Sequence, residues 1–161
     1  MIATAFLCAI FFSFTTPFVL GDDTRLSAYE VLGEYDFPVG LLPKGVIGYE
    51  INRDTGEFAA YLNGTCKFPI ESYDLEYKST ITGVISKDRL KNLKGVKVHF
   101  LFFWINIVEV VRDGNELQFS VGITSASFPI ENFYECPQCG CGLFCDKIRD
   151  SVLGFPLEVL V

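Results

Sequence analysis

Apolar positions fall into three kinds of run: an unbroken one at the start, a short helical stripe, and then alternating segments separated by turn-forming residues. The stripe is Leu26, Tyr29 and Leu32. Asp23 or Thr24 can cap its start, Ser27 and Glu30 have capping-box spacing, and Phe37-Pro38 ends it because proline excludes helical geometry in the residue before it. One N-terminal helix is therefore expected. Beyond it, β-branched and aromatic content predicts strands at about Val46 to Asn52, Glu57 to Leu62, Tyr73 to Tyr77, Thr80 to Ser86, Val96 to Val111 and Glu116 to Ile123. The turn signals between them are RDTG, NG, KDRLKNLKG and RDGN. Short strands with hairpin punctuation predict a mainly β fold, a small antiparallel β-barrel.

The longest alternating run is VKVHFLFFWINIVEV, Val96 to Val110. Alternation sends Phe100, Phe102 and Trp104 to one face and Leu101, Phe103 and Ile105 to the other, so both faces are apolar through the middle. A strand of this kind in an antiparallel fold needs cover on its second face, from the helix, the tail, a partner, or an apolar ligand in a barrel mouth. These six residues are the candidate ligand-binding set for a lipid-like molecule.

Part of the pattern occurs twice. YEINRDTGEF (Tyr49 to Phe58) aligns with VEVVRDGNEL (Val108 to Leu117), and FPIESY at Phe68 aligns with FPIENF at Phe128. Glu50, Arg53, Asp54, Glu57, Thr65, Phe68, Pro69, Ile70 and Glu71 match Glu109, Arg112, Asp113, Glu116, Thr124, Phe128, Pro129, Ile130 and Glu131. The residues kept are turn-formers, a proline and its apolar flanks, as a repeated hairpin followed by a proline-marked strand start would require.

The unbroken run changes the picture of where the domain begins. TAFLCAIFFSF, Thr4 to Phe14, precedes the first charge, Asp22, and has the length and position of a secretory hydrophobic region, with Val19 and Gly21 suited to cleavage. It lacks a preceding Lys or Arg. Residues 1–21 are expected to be a signal peptide, leaving a single domain over 22–161 in the secretory pathway or outside the cell. The competing reading, a retained anchor over Ile2 to Leu20, is interrupted by Thr15, Thr16 and Pro17. With the signal removed, no membrane span is expected.

All charged residues lie after this segment, and the formal net charge is −7. Phosphate backbones need Lys or Arg to displace counterions, so nucleic acid is not an expected partner. Charge alone likewise gives no adhesion to anionic membranes. The basic stretch KDRLKNLKGVK, Lys87 to Lys97, reads as a solvated turn. No phosphate-cradling glycine loop or cofactor motif is present, and no metal site is expected. His99 is the only histidine, and no G-x-S-x-G elbow occurs; Ser86 and Ser125 lie in GVIS and GITS.

Cys66 stands alone, and CPQCGCGLFC places Cys136, Cys139, Cys141 and Cys145 together in a Cys-rich segment over 136–145. After a signal peptide these five are disulfide candidates rather than zinc ligands. Four clustered cysteines permit three pairings, and five leave one thiol over, with Cys66 either that one or a link from the first repeat to the tail. Asn63-Gly64-Thr65 is a glycosylation sequon on an expected turn.

SAYEVL, FPVGLLPKGV, LNGTC, KSTITGVI, LKNLKGVKV, NIVEVVRDG, FPIENF and ECPQCGCG together resemble the plant family called domain of unknown function 538. The resemblance runs from about Ser27 to Cys145. It implies a secretory-pathway plant protein, a small β-barrel with two repeats, a stress-related role, and similarity to lipid-binding bactericidal/permeability-increasing proteins, with pigment or lipid as ligand. It brings no catalytic residues. Asp36 stands where the family pattern leads one to expect a helix-ending glycine. The expected function is a non-enzymatic binding module for an apolar or amphipathic small molecule. The alternatives are an esterase using His99 and an apoplastic interaction protein without a pocket.

Overall fold

The computed structural model describes residues 25–143 and Cys145. The expected signal peptide lies outside the described residues. Helix α1, Ala28–Glu34, begins with the expected capping box: Ser27 is the N-cap, Glu30 N donates to Ser27 Oγ at 3.2 Å, and Ser27 N donates to Glu30 Oε2 at 2.7 Å. It buries Ala28, Val31 and Leu32. Its end is a double hydrogen-bonded C-cap, with Phe37 N donating to Leu32 O and Asp36 N to Gly33 O, both at 3.0 Å. Asp36 takes the left-handed position at φ 63°, which aspartate tolerates better than most residues. Asp36 thus replaces the missing glycine, and the buried Phe37 closes the turn against the core.

Nine strands follow, all antiparallel: β1 Val46–Ile51, β2 Glu57–Leu62, β3 Cys66–Ile70, β4 Tyr73–Ser86, β5 Arg89–Phe100, β6 Phe103–Asn106, β7 Glu109–Asp113, β8 Glu116–Ser120 and β9 Ser125–Pro129. The pairing order is β1-β2-β4-β5-β7-β8-β9, with β3 also on β4 and β6 also on β5. The two ends of this order, β1 and β9, do not pair, so hydrogen bonding leaves the sheet open.

The long strands β4 and β5 each serve two partners in succession. The first half of β4 pairs with β3 and the second with β2; β5 pairs with β7 near its start and with β6 near its end. Between the halves the register jumps from Tyr77↔Val96 to Thr82↔Lys94, so β4 advances five residues while β5 moves two. Excess residues on one strand bend a ladder and strengthen its twist. Gly95 makes the bend possible: its φ is +90°, and a Cβ there would sit 2.3 Å from Thr80 O. Beyond the bend, β3, the start of β4, the end of β5 and β6 form a four-stranded end of the sheet.

This bend corrects several expectations. Tyr73 to Ser86 is one strand, not two. Lys87 to Lys97 is not a solvated turn, because only Lys87-Asp88 turns and Arg89 starts β5. Asn63-Gly64 is a bend between two strands that follow one another along β4, not the loop of a hairpin. Val96 to Val111 is broken at Leu101-Phe102 into a hairpin. In the repeated segments, β1–β2 and β7–β8 are both hairpins, but Phe68-Pro69 lies in β3 against β4, whereas Phe128-Pro129 ends β9 against β8 and leads into a 3₁₀ turn over Ile130–Phe133.

The core includes Ile81, Ile85, Leu90, Val96, Val110 and the fully buried Leu117. Helix α1 and a 3₁₀ turn over Val39–Leu41 cover it, tied by tyrosines: Tyr49 OH donates to Leu26 O at 2.6 Å, Tyr77 OH to Leu41 O at 2.9 Å and Tyr29 OH to Pro43 O at 2.9 Å. Disulfides join Cys66 to Cys139 and Cys141 to Cys145, while Cys136 is free, its thiol pushed up by burial. Gly140 N donates to Lys67 O at 2.6 Å, so the tail partly satisfies the outer edge of β3. No helix among the described residues is long and apolar enough to cross a membrane.

Candidate functional site

The six residues expected to bind ligand are brought together, but at the end of a hairpin rather than along the interior. Phe100 pairs with Phe103, and Leu101-Phe102 makes the two-residue turn. Exposure rises toward the apex: Phe100 46%, Leu101 71%, Phe102 88%, then Phe103 70% and Trp104 39%. Ile105 is half-buried. The expectation that one face of this run lines the interior is corrected, because a turn at Leu101-Phe102 carries the apolar apex out of the sheet. Leu101 holds φ 55°, a conformation that such turns ordinarily give to Gly, Asn or Asp.

Below the apex the register sorts side chains by face. Phe68, Leu75, Val98 and Ile105 share one row, and Ile70, Tyr73, Phe100 and Phe103 the next. Phe128 packs edge-on against Tyr73 of this side, with their centroids 5.6 Å apart, and Phe119 packs in turn on Phe128. The opposite face is polar: Lys67, Glu76, Lys97 and Asn106 form one row, and Pro69, Asp74, His99 and Trp104 the other. The Glu76 carboxylate lies 2.9 Å from Lys67 Nζ and 2.6 Å from Lys78 Nζ. Hydrogen bonds from Lys78 and Lys67 hold its pKa down to about 2 against the burial that would raise it. Lys67 Nζ also sits 5.1 Å from the Trp104 ring centroid, and the His99 ring packs 5.0 Å from the same indole.

His99 thus lies against Trp104 on the polar face. Ser86 ends β4 opposite Arg89, at the far end from Asp74 and His99, and Ser125 pairs with Ser120 on β8, so the strand register brings neither of these serines to the imidazole. Asn63 is exposed on its bend.

A second feature was not legible in the sequence. An apolar cavity of about 60 Å³ lies inside the fold, between α1 and the 3₁₀ turn on one side and the bent sheet on the other. Val31, Leu42, Ala60, Ile81, Leu93 and Phe119 are among its lining residues. Its residues come from six strands and two helical segments, so only the bend in β4 and β5 assembles them. Tyr77 marks its edge, its phenol pushed up by burial and donating to Leu41 O.

Comparison with known proteins gives a family. A family model described as "Protein of unknown function, DUF538" matches residues 28–134, and the chain belongs to that family. It is also 26% identical over 95 residues to an uncharacterized protein of Arabidopsis thaliana, a match covering 58% of this chain and 55% of that protein. The match thus spans about half the length of the curated relative.

Proposed function

We propose that this member of the DUF538 family is a non-enzymatic binding module that takes up the apolar part of an amphipathic, lipid-like molecule beneath α1. The observation that carries the reading is the apolar cavity of about 60 Å³ under a helix of only seven residues. Protein interiors pack closely, so an apolar void of this kind is space that another apolar group can fill. Ligand pockets for whole small molecules run to roughly 300 Å³ or more, so a chain enters only as α1 and the Val39–Leu41 turn lift from the sheet. Tyrosine hydrogen bonds hold that lid, and each contributes roughly 1 kcal/mol, little enough for an apolar ligand to offset.

The setting is a secreted protein whose signal is residues 1–21 and whose domain is 22–161. The Cys66–Cys139 and Cys141–Cys145 bridges suit an oxidising compartment, and Asn63 is exposed for glycosylation. The experiment is titration of the secreted protein with cis-parinaric acid below its aggregation concentration. Saturable uptake is expected, weakened about tenfold by Ala60→Ile, which fills the cavity while keeping the strand. No uptake by the wild type, or equal uptake by the variant, overturns the reading.

A further inference from the structure

The exposed hairpin apex is a different feature from the cavity, and it breaks two local rules at once. Phe100, Leu101, Phe102, Phe103 and Trp104 are consecutive, apolar and exposed, where a soluble domain ordinarily scatters such residues singly. Leu101 also occupies a left-handed turn position that glycine would hold without strain. A folding requirement explains neither choice, since both lower the stability of the free protein. We propose that the Phe100–Trp104 apex inserts into the interface of a lipid bilayer and docks the protein on zwitterionic membrane surfaces.

Shape and area favour lipid over a protein partner. A stable protein interface takes roughly 800 Å² from each side over a broad patch. The apex is two turn residues wide, and Phe100 and Trp104 are already more than half covered, so this narrow projection is suited less to a broad protein interface than to penetrating a soft phase. Its composition follows depth. Leu101 and Phe102 stand furthest out, and Trp104 is set back at 39% exposure beside His99 and Lys67, as an indole at the boundary between acyl chains and headgroups would be.

Charge selects the kind of membrane. Around the apex, Lys67 and Lys78 share the single Glu76 carboxylate, whereas Lys91, Lys94 and Lys97 along β5 make no ion pair among the described residues. Glu71 accepts from Asn132 Nδ2. The chain as a whole is nonetheless acidic, with a formal net charge of −7, so overall charge does not draw it to anionic lipid. Binding is therefore driven by apolar insertion and is insensitive to salt.

The test uses the secreted protein with phosphatidylcholine vesicles, and a second set containing phosphatidylserine. Trp104 is the only tryptophan, so intrinsic fluorescence reports from the apex itself. The expected result is a blue shift, quenching by brominated acyl chains, and co-flotation, equal at low and high salt and not improved by phosphatidylserine. Phe102→Ser and Leu101→Gly should each weaken partitioning about tenfold, with Leu101→Gly keeping or raising the unfolding midpoint because it relieves the turn. Absence of shift and flotation overturns the inference, as does unchanged partitioning of both variants. A wild-type dimer that dissociates in Phe102→Ser without any flotation would make the apex a self-association surface and also overturn it. Ala60→Ile leaves the apex intact, so vesicle binding with loss of cis-parinaric uptake separates failure of one reading from failure of the other.

Discussion

Lys67 Nζ lies 2.9 Å from the Glu76 carboxylate across the β3–β4 ladder, while Lys78 reaches the same carboxylate from the β4 side at 2.6 Å. Glu76 is 6% exposed, and its pKa falls from an ordinary 4.5 to about 2. A carboxylate whose folded pKa is depressed adds stability above its unfolded pKa, and that contribution is lost as pH falls from about 4.5 toward about 2. The lysine heads remain in solvent, which screens the pair, so we expect a loss of about 1–2 kcal/mol across this window. Glu76→Gln should remove most of that pH dependence while costing stability at neutral pH. Chemical denaturation of both proteins between these two pH values measures it, and parallel pH profiles would show the contribution is absent.

The two disulfides differ in the length of chain they close. Cys66 and Cys139 are 73 residues apart, whereas Cys141 and Cys145 are separated by 4. Constraint of the unfolded chain grows with loop length, from about 2 kcal/mol for the short loop to about 4 kcal/mol for the long one. The Cys66→Ser/Cys139→Ser variant should therefore lower the unfolding free energy by more than Cys141→Ser/Cys145→Ser does. It should also release the tail from β3, where Gly140 N donates to Lys67 O. Hydrogen exchange at Gly140, together with the two midpoints, checks both parts; equal midpoints would count against the expected ranking.

Thiol chemistry gives a third expectation. Of the five cysteines after residue 21, only Cys136 is free; it is half-buried, and its thiol donates to Val39 O at 3.4 Å. Burial raises its pKa, so the thiolate needed for alkylation is scarcer than at an exposed cysteine. Peptide mapping of the secreted protein after alkylation at neutral pH should find modification confined to Cys136 and slower than in the denatured chain. Labelling of Cys66 without reduction would show that its bridge does not form.

Local signals carried the legible part of the fold. The Ser27/Glu30 spacing gave the start of α1, and the bounds of β2 follow from its aromatic and aliphatic content between RDTG and NG. The bend did not show, because Asn92 at φ 53° and Gly95 at φ 90° disrupt alternation in β5. Leu90, Leu93 and Val96 face the core at intervals of three, and the Lys and Asn residues between them imitate a loop. The hairpin apex was hidden for the opposite reason: Leu101 and Phe102 bear no turn chemistry, so the apolar run read as one strand. Alternation grouped these residues in one run, but their outward placement depends on a turn that only the backbone reveals. The cavity was illegible, since its walls meet through long-range pairing.

The bend and the lid meet in two glycines with opposite expected responses to the same substitution. Gly95 has φ +90°, and a Cβ would stand 2.3 Å from Thr80 O on the neighbouring strand, so Gly95→Ala combines backbone strain with a clash against main chain. A loss of about 2 kcal/mol or more is expected, with the cavity walls displaced as β4 and β5 straighten. Gly33 lies in α1, exposed, with nothing within 4 Å of the place an added methyl group would take. Gly33→Ala should raise stability by about 0.5–1 kcal/mol, because alanine loses less backbone freedom on entering a helix. If α1 is the lid through which an apolar chain reaches the cavity, stiffening it must also slow uptake. Stopped-flow mixing with cis-parinaric acid should then show slower association for Gly33→Ala despite a higher unfolding midpoint, whereas Phe102→Ser at the remote apex should leave that rate unchanged. A faster or identical rate in Gly33→Ala would mean that α1 is fixed cover and that any apolar ligand enters elsewhere.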